Sequence, residues 1–309
     1  MSSLPWEPDR RLTIDLARSV IRAVFPNVDA DQLCFSGSGW EFDVFVTTDG
    51  WAFRFPRRQE YEGLFERERP AISLARDALP TGTLVPQVEL VGTPSQDFPY
   101  TFAGHRFIKG VSADSVHTRL HSELTRSVGT VLGAIHTVPV VVARAAGVSE
   151  MEAPDDGAYE WFRRNLSGAS QLVVSEPTVH DAVAWVSALA DPLRARAAPV
   201  RFIHHDLSPE HLVVDPSTGR LAGILDWTDA GLGDPASDFV TCATFGGWTF
   251  VERVTRHYSG AVDRSFWERL RYMAQLLSVM WLGEACKNGG DVAKHVAWVK
   301  NAFTLQSAS

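Results

Sequence analysis

One stretch limits what this chain can become: Phe202-Ile203-His204-His205-Asp206-Leu207-Ser208-Pro209-Glu210-His211-Leu212-Val213-Val214-Asp215, with its sequel Leu221-Ala222-Gly223-Ile224-Leu225-Asp226-Trp227. Short apolar runs enclose a polar loop, and a Pro- and Gly-containing turn at 215–219 separates the second run from the third. The pattern predicts strand, loop, strand, turn, strand. Asp206 falls in the loop, His211 opens the middle strand, and Asp226 lies just past the last one. One carboxylate can accept a proton from a hydroxyl. The second carboxylate and the imidazole can hold a metal ion beside it. These are the parts of a phosphoryl-transfer site.

The pattern His-x-Asp-x-x-x-x-His, here His204 to His211, followed by an aspartate after an apolar strand, resembles the catalytic and metal loops of the kinase superfamily. The nearer resemblance is to the antibiotic phosphotransferases, the aminoglycoside and macrolide kinases. Their metal loop looks like Ile224-Leu225-Asp226-Trp227, and a Gly-Asp-Pro-x-x-Asp-Phe run follows, here Gly233 to Phe239. Histidine at position 211 is closer to the macrolide 2′-kinases and aminoglycoside 2″-kinases than to the 3′-kinases. The resemblance covers roughly residues 35–240 in ordered pieces and leaves the C-terminal part unconstrained. It implies an α+β, bilobal protein-kinase-like fold. A small β-rich N-lobe over 1–109 would cover the nucleotide. A larger, mostly helical C-lobe over 110–309 would hold the catalytic loop, metal site and acceptor pocket.

Composition is consistent with this. The chain has 309 residues, 45% hydrophobic and 21% charged, enough for two modest cores. The net charge of −8 argues against a nucleic-acid partner and is compatible with a cationic substrate. Three cysteines, Cys34, Cys242 and Cys286, stand without ligand-like spacing, which fits a reducing compartment. No basic-then-apolar leader opens the sequence and no apolar run is long enough to span a bilayer, so the expectation is a cytoplasmic, monomeric protein.

Along the chain, 9–25 reads as an amphipathic helix. The alternation at 42–46, the Asp49-Gly50 turn and 51–56 read as a hairpin. A charged helix is expected over 60–79, broken or begun at Pro70 because proline lacks the N–H donor. Strands are expected at 85–91 and from 100 to 108. Helices are expected at 121–137, 155–167, 177–197, 234–246, 249–258, 263–287 and 291–303, with 138–142 leading into a loop and 306–309 frayed.

The kinase resemblance then distributes roles. The turn at 36–40, with Ser36, Gly37, Ser38 and Gly39, would cover the nucleotide phosphates, although it does not spell Gly-x-Gly-x-x-Gly. Arg54 stands where many kinases place lysine, and would pair with Glu68, or next with Glu66. Phe107, Ile108 and Gly110 belong to a run resembling the purine-binding hinge, whose backbone readout leaves ATP and GTP undistinguished. Asp206 would orient and deprotonate the acceptor hydroxyl, and His211 and Asp226 would coordinate Mg²⁺. Among acceptor-facing positions, His205, Asp229, Trp281 and Glu284 are the candidates. His204 and His136 read as structural histidines, and Asp234 and Asp238 as bonding backbone groups.

The resulting expectation is a Mg²⁺-dependent kinase that uses GTP or ATP on a hydroxyl of a macrolide or aminoglycoside antibiotic. Two other readings remain open: a kinase of a nucleoside antibiotic or of a housekeeping small molecule, and a pseudokinase that binds nucleotide without turnover. A protein kinase is disfavoured, because the eight residues from Asp226 to Asp234 leave no room for a peptide-docking loop.

Overall fold

The computed structural model describes residues 7–115, 122–152, 155–172, 176–193 and 197–304. The stretches read above as a leaderless N-terminus (1–6) and a frayed tail (306–309) lie outside them. The chain opens with helix α1 (Ile14–Val24), whose N-cap Thr13 accepts a hydrogen bond from Leu16 N at 3.3 Å. Strands β1 (Cys34–Ser38), β2 (Phe42–Val46) and β3 (Trp51–Pro56) follow, then α2 (Leu64–Ala78), β4 (Val88–Gly92) and β5 (Phe102–Arg106). They form one antiparallel sheet in the order β1-β2-β3-β5-β4.

The central strand β3 is buried at every position, because both of its faces are covered. Trp51, Phe53 and Phe55 join Phe45, Phe98 and Phe102 in a core closed by α1, with Phe55 stacked on Phe102 at 4.5 Å. Ala52 and Arg54 alternate to the opposite face, which looks into a cavity. Gly50, at φ +89°, makes the β2–β3 turn that sets this register.

The C-terminal region is mainly helical. Short strand β6 (Val111–Ser112) precedes α3 (Ser122–His136), α4 (Val140–Ala145), α5 (Asp156–Ala169) and α6 (Pro177–Ser187). Next come β7 (Arg201–Ile203), β8 (Leu212–Val214), β9 (Leu221–Ile224) and β10 (Gly231–Gly233). Strands β6, β8 and β9 form one small sheet, and β7 pairs with β10 in another. A 3-10 turn (Pro235–Phe239) leads into α7 (Val240–Gly246), α8 (Trp248–Thr255), α9 (Arg264–Asn288) and α10 (Val292–Phe303). Leu84 joins the two regions: its N–H donates to Ala222 O and its carbonyl accepts from Ile224 N, both at 2.9 Å. Among the described residues, no helix is long and apolar enough to cross a membrane.

Several expectations change. Helix α2 runs unbroken through Pro70. Its face of Phe65, Glu68, Ala71, Ile72 and Ala75 is buried, and that burial offsets the lost hydrogen bond. Positions 36–38 belong to edge strand β1, paired with β2, so the turn shrinks to 39–41. The apolar 138–142 segment ends in α4 rather than a loop, because Ala143 finds a buried seat. Helix α6 stops at Ser187, short of 197, and residues 194–196 lie outside the described set. In the expected 234–246 helix, Asp234 is a cap that accepts from Ala236 N and the next five residues, Pro235–Phe239, are 3-10.

Helices α5 and α9 cross at two glycines. A Cβ on Gly283 would stand 1.7 Å from Asn165 O, and one on Gly168 would stand 2.4 Å from Gly283 O. We predict that Gly283→Ala destabilises the protein by roughly 3 kcal/mol in urea unfolding, because overpacking at a backbone contact cannot be relieved by a rotamer change. An unchanged midpoint would show that these helices do not meet this closely in solution.

Candidate active site

The loop between β7 and β8 is held from below by one carboxylate. Asp238 accepts from His204 N at 2.9 Å, from His205 N at 2.6 Å and from His136 Nε2 at 3.0 Å. Burial pushes its pKa up, but the bond and charge of His136 and the neighbouring His204 hold it below the ordinary carboxylate range. His205 takes φ +70°, a left-handed conformation that a non-glycine residue adopts only under constraint. His204 donates from Nε2 to Leu225 O at 3.0 Å, which ties the loop to the end of β9. Burial keeps His204 largely neutral, with a pKa of about 4. Asp234, at the head of the 3-10 turn, accepts from Arg269 Nε at 2.7 Å and from Ala236 N at 3.0 Å.

Asp206, His211 and Asp226 come together above this frame. His211 Nδ1 donates to the Asp206 carbonyl at 2.9 Å and lies 3.4 Å from its Oδ2. With Nδ1 used, Nε2 faces Asp226 Oδ2 at 3.6 Å. Asp226, itself at φ +56°, accepts from Thr228 Oγ1 at 2.7 Å through its other oxygen, Oδ1. One imidazole nitrogen and one carboxylate oxygen are thus left pointing at each other. Such a pair could hold a magnesium ion that completes its shell with water and phosphate oxygens. Among the described residues, no group of three His, Cys, Asp or Glu side chains forms a fuller metal cage.

The electrostatics separate the carboxylates. Burial, then Asp229 and Asp226, raise the Asp206 pKa despite His211. Burial also raises Asp229, with Asp226 adding to it. Asp226 goes the other way: burial pushes it up, but His211, Arg54 and Thr228 more than reverse the shift. Arg54 reaches the site from β3, ion-paired with Glu68 of α2 and stacked over Phe42 at 4.2 Å. Burial would lower its pKa, and the carboxylates of Glu68 and Asp226 outweigh that. Glu66 instead faces solvent and pairs with Arg69.

Two cavities meet here. The smaller, about 230 Å³, lies under the sheet and is lined by Ser36, Gly39, Arg54, Phe107 and Ile108. The larger, about 640 Å³, lies between the loop and helices α9 and α10, with Ser38, Asp206, Asp229, Trp281 and Glu284 on its walls. Gly39, Glu41, His211 and Asp226 line both and mark the seam. Gly37, Gly110 and His205 line neither cavity. Glu68 also lies outside both linings, buried behind Arg54. Gly110 lets the chain pass β8, since a Cβ there would lie 2.7 Å from Val214 O.

The sequence reading missed several lining residues. Trp40 closes the expected 36–40 turn without having been given a role, and Glu41 directly follows it, so extending the site by one residue would have found both. His105 and Pro86 border the small cavity from β5 and the segment before β4. Lys294, His295 and Trp298 come from α10, and no local pattern marks them. Lys294 is ion-paired with Glu210 of the loop and lies 3.9 Å from Asp114.

Comparison with known proteins agrees with this architecture. The family model described as the phosphotransferase enzyme family matches residues 33–272, more than three quarters of the chain. The uncharacterized protein YcbJ of Bacillus subtilis (strain 168) is 24% identical over 257 residues, covering 79% of this chain and 80% of YcbJ. The GDP complex of aminoglycoside 2'-phosphotransferase-IIIa superposes with a TM-score of 0.69 at 18% identity, covering 94% of this chain and 98% of that one. Macrolide 2'-phosphotransferase MphH from Brachybacterium faecium gives 0.58 at 20% identity, with 95% and 100% covered. At these identities the structural likeness speaks to the fold.

The wall of the small cavity makes a pH prediction. Burial, together with the charge of Arg54, lowers the His105 pKa to about 4 despite its bond to the Arg106 carbonyl. The folded state therefore binds fewer protons than the unfolded one. The stability is fully present above the unfolded value near 6.5 and is lost as pH falls towards 4. We predict that wild type loses on the order of 3 kcal/mol more than His105→Gln between pH 7 and pH 4 in urea titrations. Parallel losses in the two proteins would remove His105 as a source.

Proposed function

The chain belongs to the phosphotransferase enzyme family, and we propose that it moves the γ-phosphoryl group of ATP or GTP to a hydroxyl of an amine-bearing antibiotic, a macrolide or an aminoglycoside. The carrying observation is the meeting of two cavities at His211 and Asp226, with Asp206 beside them on the wall of the larger. The smaller takes the nucleotide, its base against the 107–110 hinge between an N-lobe (1–109) and a C-lobe (110–309). The larger takes the acceptor. Its carboxylates Glu41, Asp229 and Glu284 suit ammonium groups, and Trp40, Trp281 and Trp298 offer apolar surface to a ring. The structural relatives' own substrates, aminoglycosides and macrolides, support the same class.

Phosphoryl transfer rests on positioning and charge neutralisation. Arg54, held by Glu68, presents a fixed cation to the phosphates. Asp206 accepts the proton of the acceptor hydroxyl as its oxygen attacks phosphorus and the nucleoside diphosphate leaves. The raised pKa of Asp206 makes it a stronger base than an exposed aspartate. His211 Nε2 and Asp226 Oδ2 would hold Mg²⁺, which when bound neutralises charge on the β- and γ-phosphates. Asp238 positions Asp206 through the two N–H groups that precede it.

Purified protein with Mg²⁺ and either ATP or GTP, incubated with macrolides, aminoglycosides and nucleoside antibiotics, should yield by mass spectrometry a product heavier by one phosphoryl group on a macrolide or an aminoglycoside. Nucleotide binding without any product across the panel would point to the pseudokinase instead. Asp206→Ala should lower turnover roughly 10²–10⁴-fold with nucleotide affinity kept, because the group acts in the transition state. A variant that mainly loses nucleotide affinity would overturn that role. Asp226→Ala should lose metal-dependent turnover while its circular dichroism and melting stay near wild type. Retained activity would remove Asp226 from the metal site.

A further inference from the structure

The hydrogen-bond chain below the Asp206 loop has a second end. Beyond Asp238 and His136, the His136 Nδ1 atom meets the Tyr258 hydroxyl at 2.8 Å. Tyr258 borders a third cavity of about 540 Å³, separate from the two above. Its walls are largely apolar: Val138, Pro139, Pro199, Pro235 and Ala261. Its polar lining comes from Arg201, Tyr258, His136, Thr137 and Ser259. The Arg201 guanidinium donates to the Val200 carbonyl at 2.7 Å, and no carboxylate of the described residues pairs with it. Burial and the charge of Asp238 push the Tyr258 phenol up to about 12, so its hydroxyl remains a donor. A cation and a hydroxyl donor beside an apolar wall are complementary to a carboxylate attached to a hydrocarbon body.

We propose that this cavity binds a small organic carboxylate, with its oxygens on Arg201 and Tyr258 and its body against the prolines, and that occupancy loosens the loop carrying Asp206. The coupling follows from proton counting. His136 gives its Nε2–H to Asp238 and takes the one Tyr258 proton at Nδ1. A carboxylate on Tyr258 draws that proton away and leaves Nδ1 without its donor. The imidazole is then less firmly held against Asp238, the carboxylate that fixes the His204 and His205 N–H groups. Arg201 begins β7, the strand that runs into the same loop, so the ligand would sit beside the loop's entry as well.

Benzoate is a suitable probe and benzamide its uncharged control. Benzoate at millimolar concentration should raise the melting temperature of the full chain by a few degrees, and benzamide should not. Arg201→Gln should abolish the shift, while Arg201→Lys, which keeps the charge, should retain part of it. Hydrogen exchange of the 202–211 segment should rise severalfold with benzoate in wild type. In Tyr258→Phe the benzoate-induced rise should disappear, since no shared proton remains. No benzoate shift, or an equal shift in wild type and Arg201→Gln, would overturn the site. A shift with unaltered loop exchange would overturn the coupling to the loop. Neither readout requires catalytic turnover.

Discussion

A buried carboxylate with three donors organises the site. Asp238 is 1% exposed, and a charge so enclosed is tolerable only when its lone pairs are filled. Two of the donors are consecutive backbone N–H groups, His204 and His205, and the third is His136. Consecutive N–H groups can converge on one carboxylate only if the backbone turns sharply, and His205 does so at φ +70°. That conformation costs on the order of 1–3 kcal/mol, which the Asp238 bonds offset. Asp206 is the next residue, so its place follows from the same turn. His204 then reaches Leu225 O and brings in the end of β9, where Asp226 sits.

The charges around this frame are unequal. Asp206, Asp229 and Glu41 are all raised, first by burial and then by neighbouring carboxylates, whereas Asp226 is lowered by His211, Arg54 and Thr228 against its burial. Aspartates on one loop system therefore have different chemistry: one suited to holding a cation, one suited to taking a proton. Arg54 can serve only because Glu68 lies behind it. A lone guanidinium buried to that extent would be costly, and the helix supplying Glu68 is the one that runs through Pro70.

Much of this was legible from local spacing. The order and bounds of α3, α9 and α10 follow from apolar periodicity, and the hairpin of β2 and β3 from Asp49-Gly50. The kinase-like fold followed from motif resemblance, and the family match supports it. Less legible were features that depend on compensation at a distance. Pro70 reads as a helix breaker until the buried face around it is known. The glycine turn reads as 36–40 until β2 claims Gly37 and Ser38 by pairing. Gly168 and Gly283 carry no local signal at all, because their role exists only where two helices cross.

The sequence by itself determined the loop that carries Asp206 and the aspartate after β9. Their partners, Asp206, His211, Asp226 and Asp238, lie within 33 residues of one another, and short-range turns and bonds suffice to relate them. Tertiary structure alone decided what closes the larger cavity. Lys294 meets Glu210, and Trp281 meets Trp298, only after α9 has packed on α5 through glycine and α10 has folded back beside it. Those contacts are set by side-chain volume and helix approach across the whole chain, which no short spacing encodes.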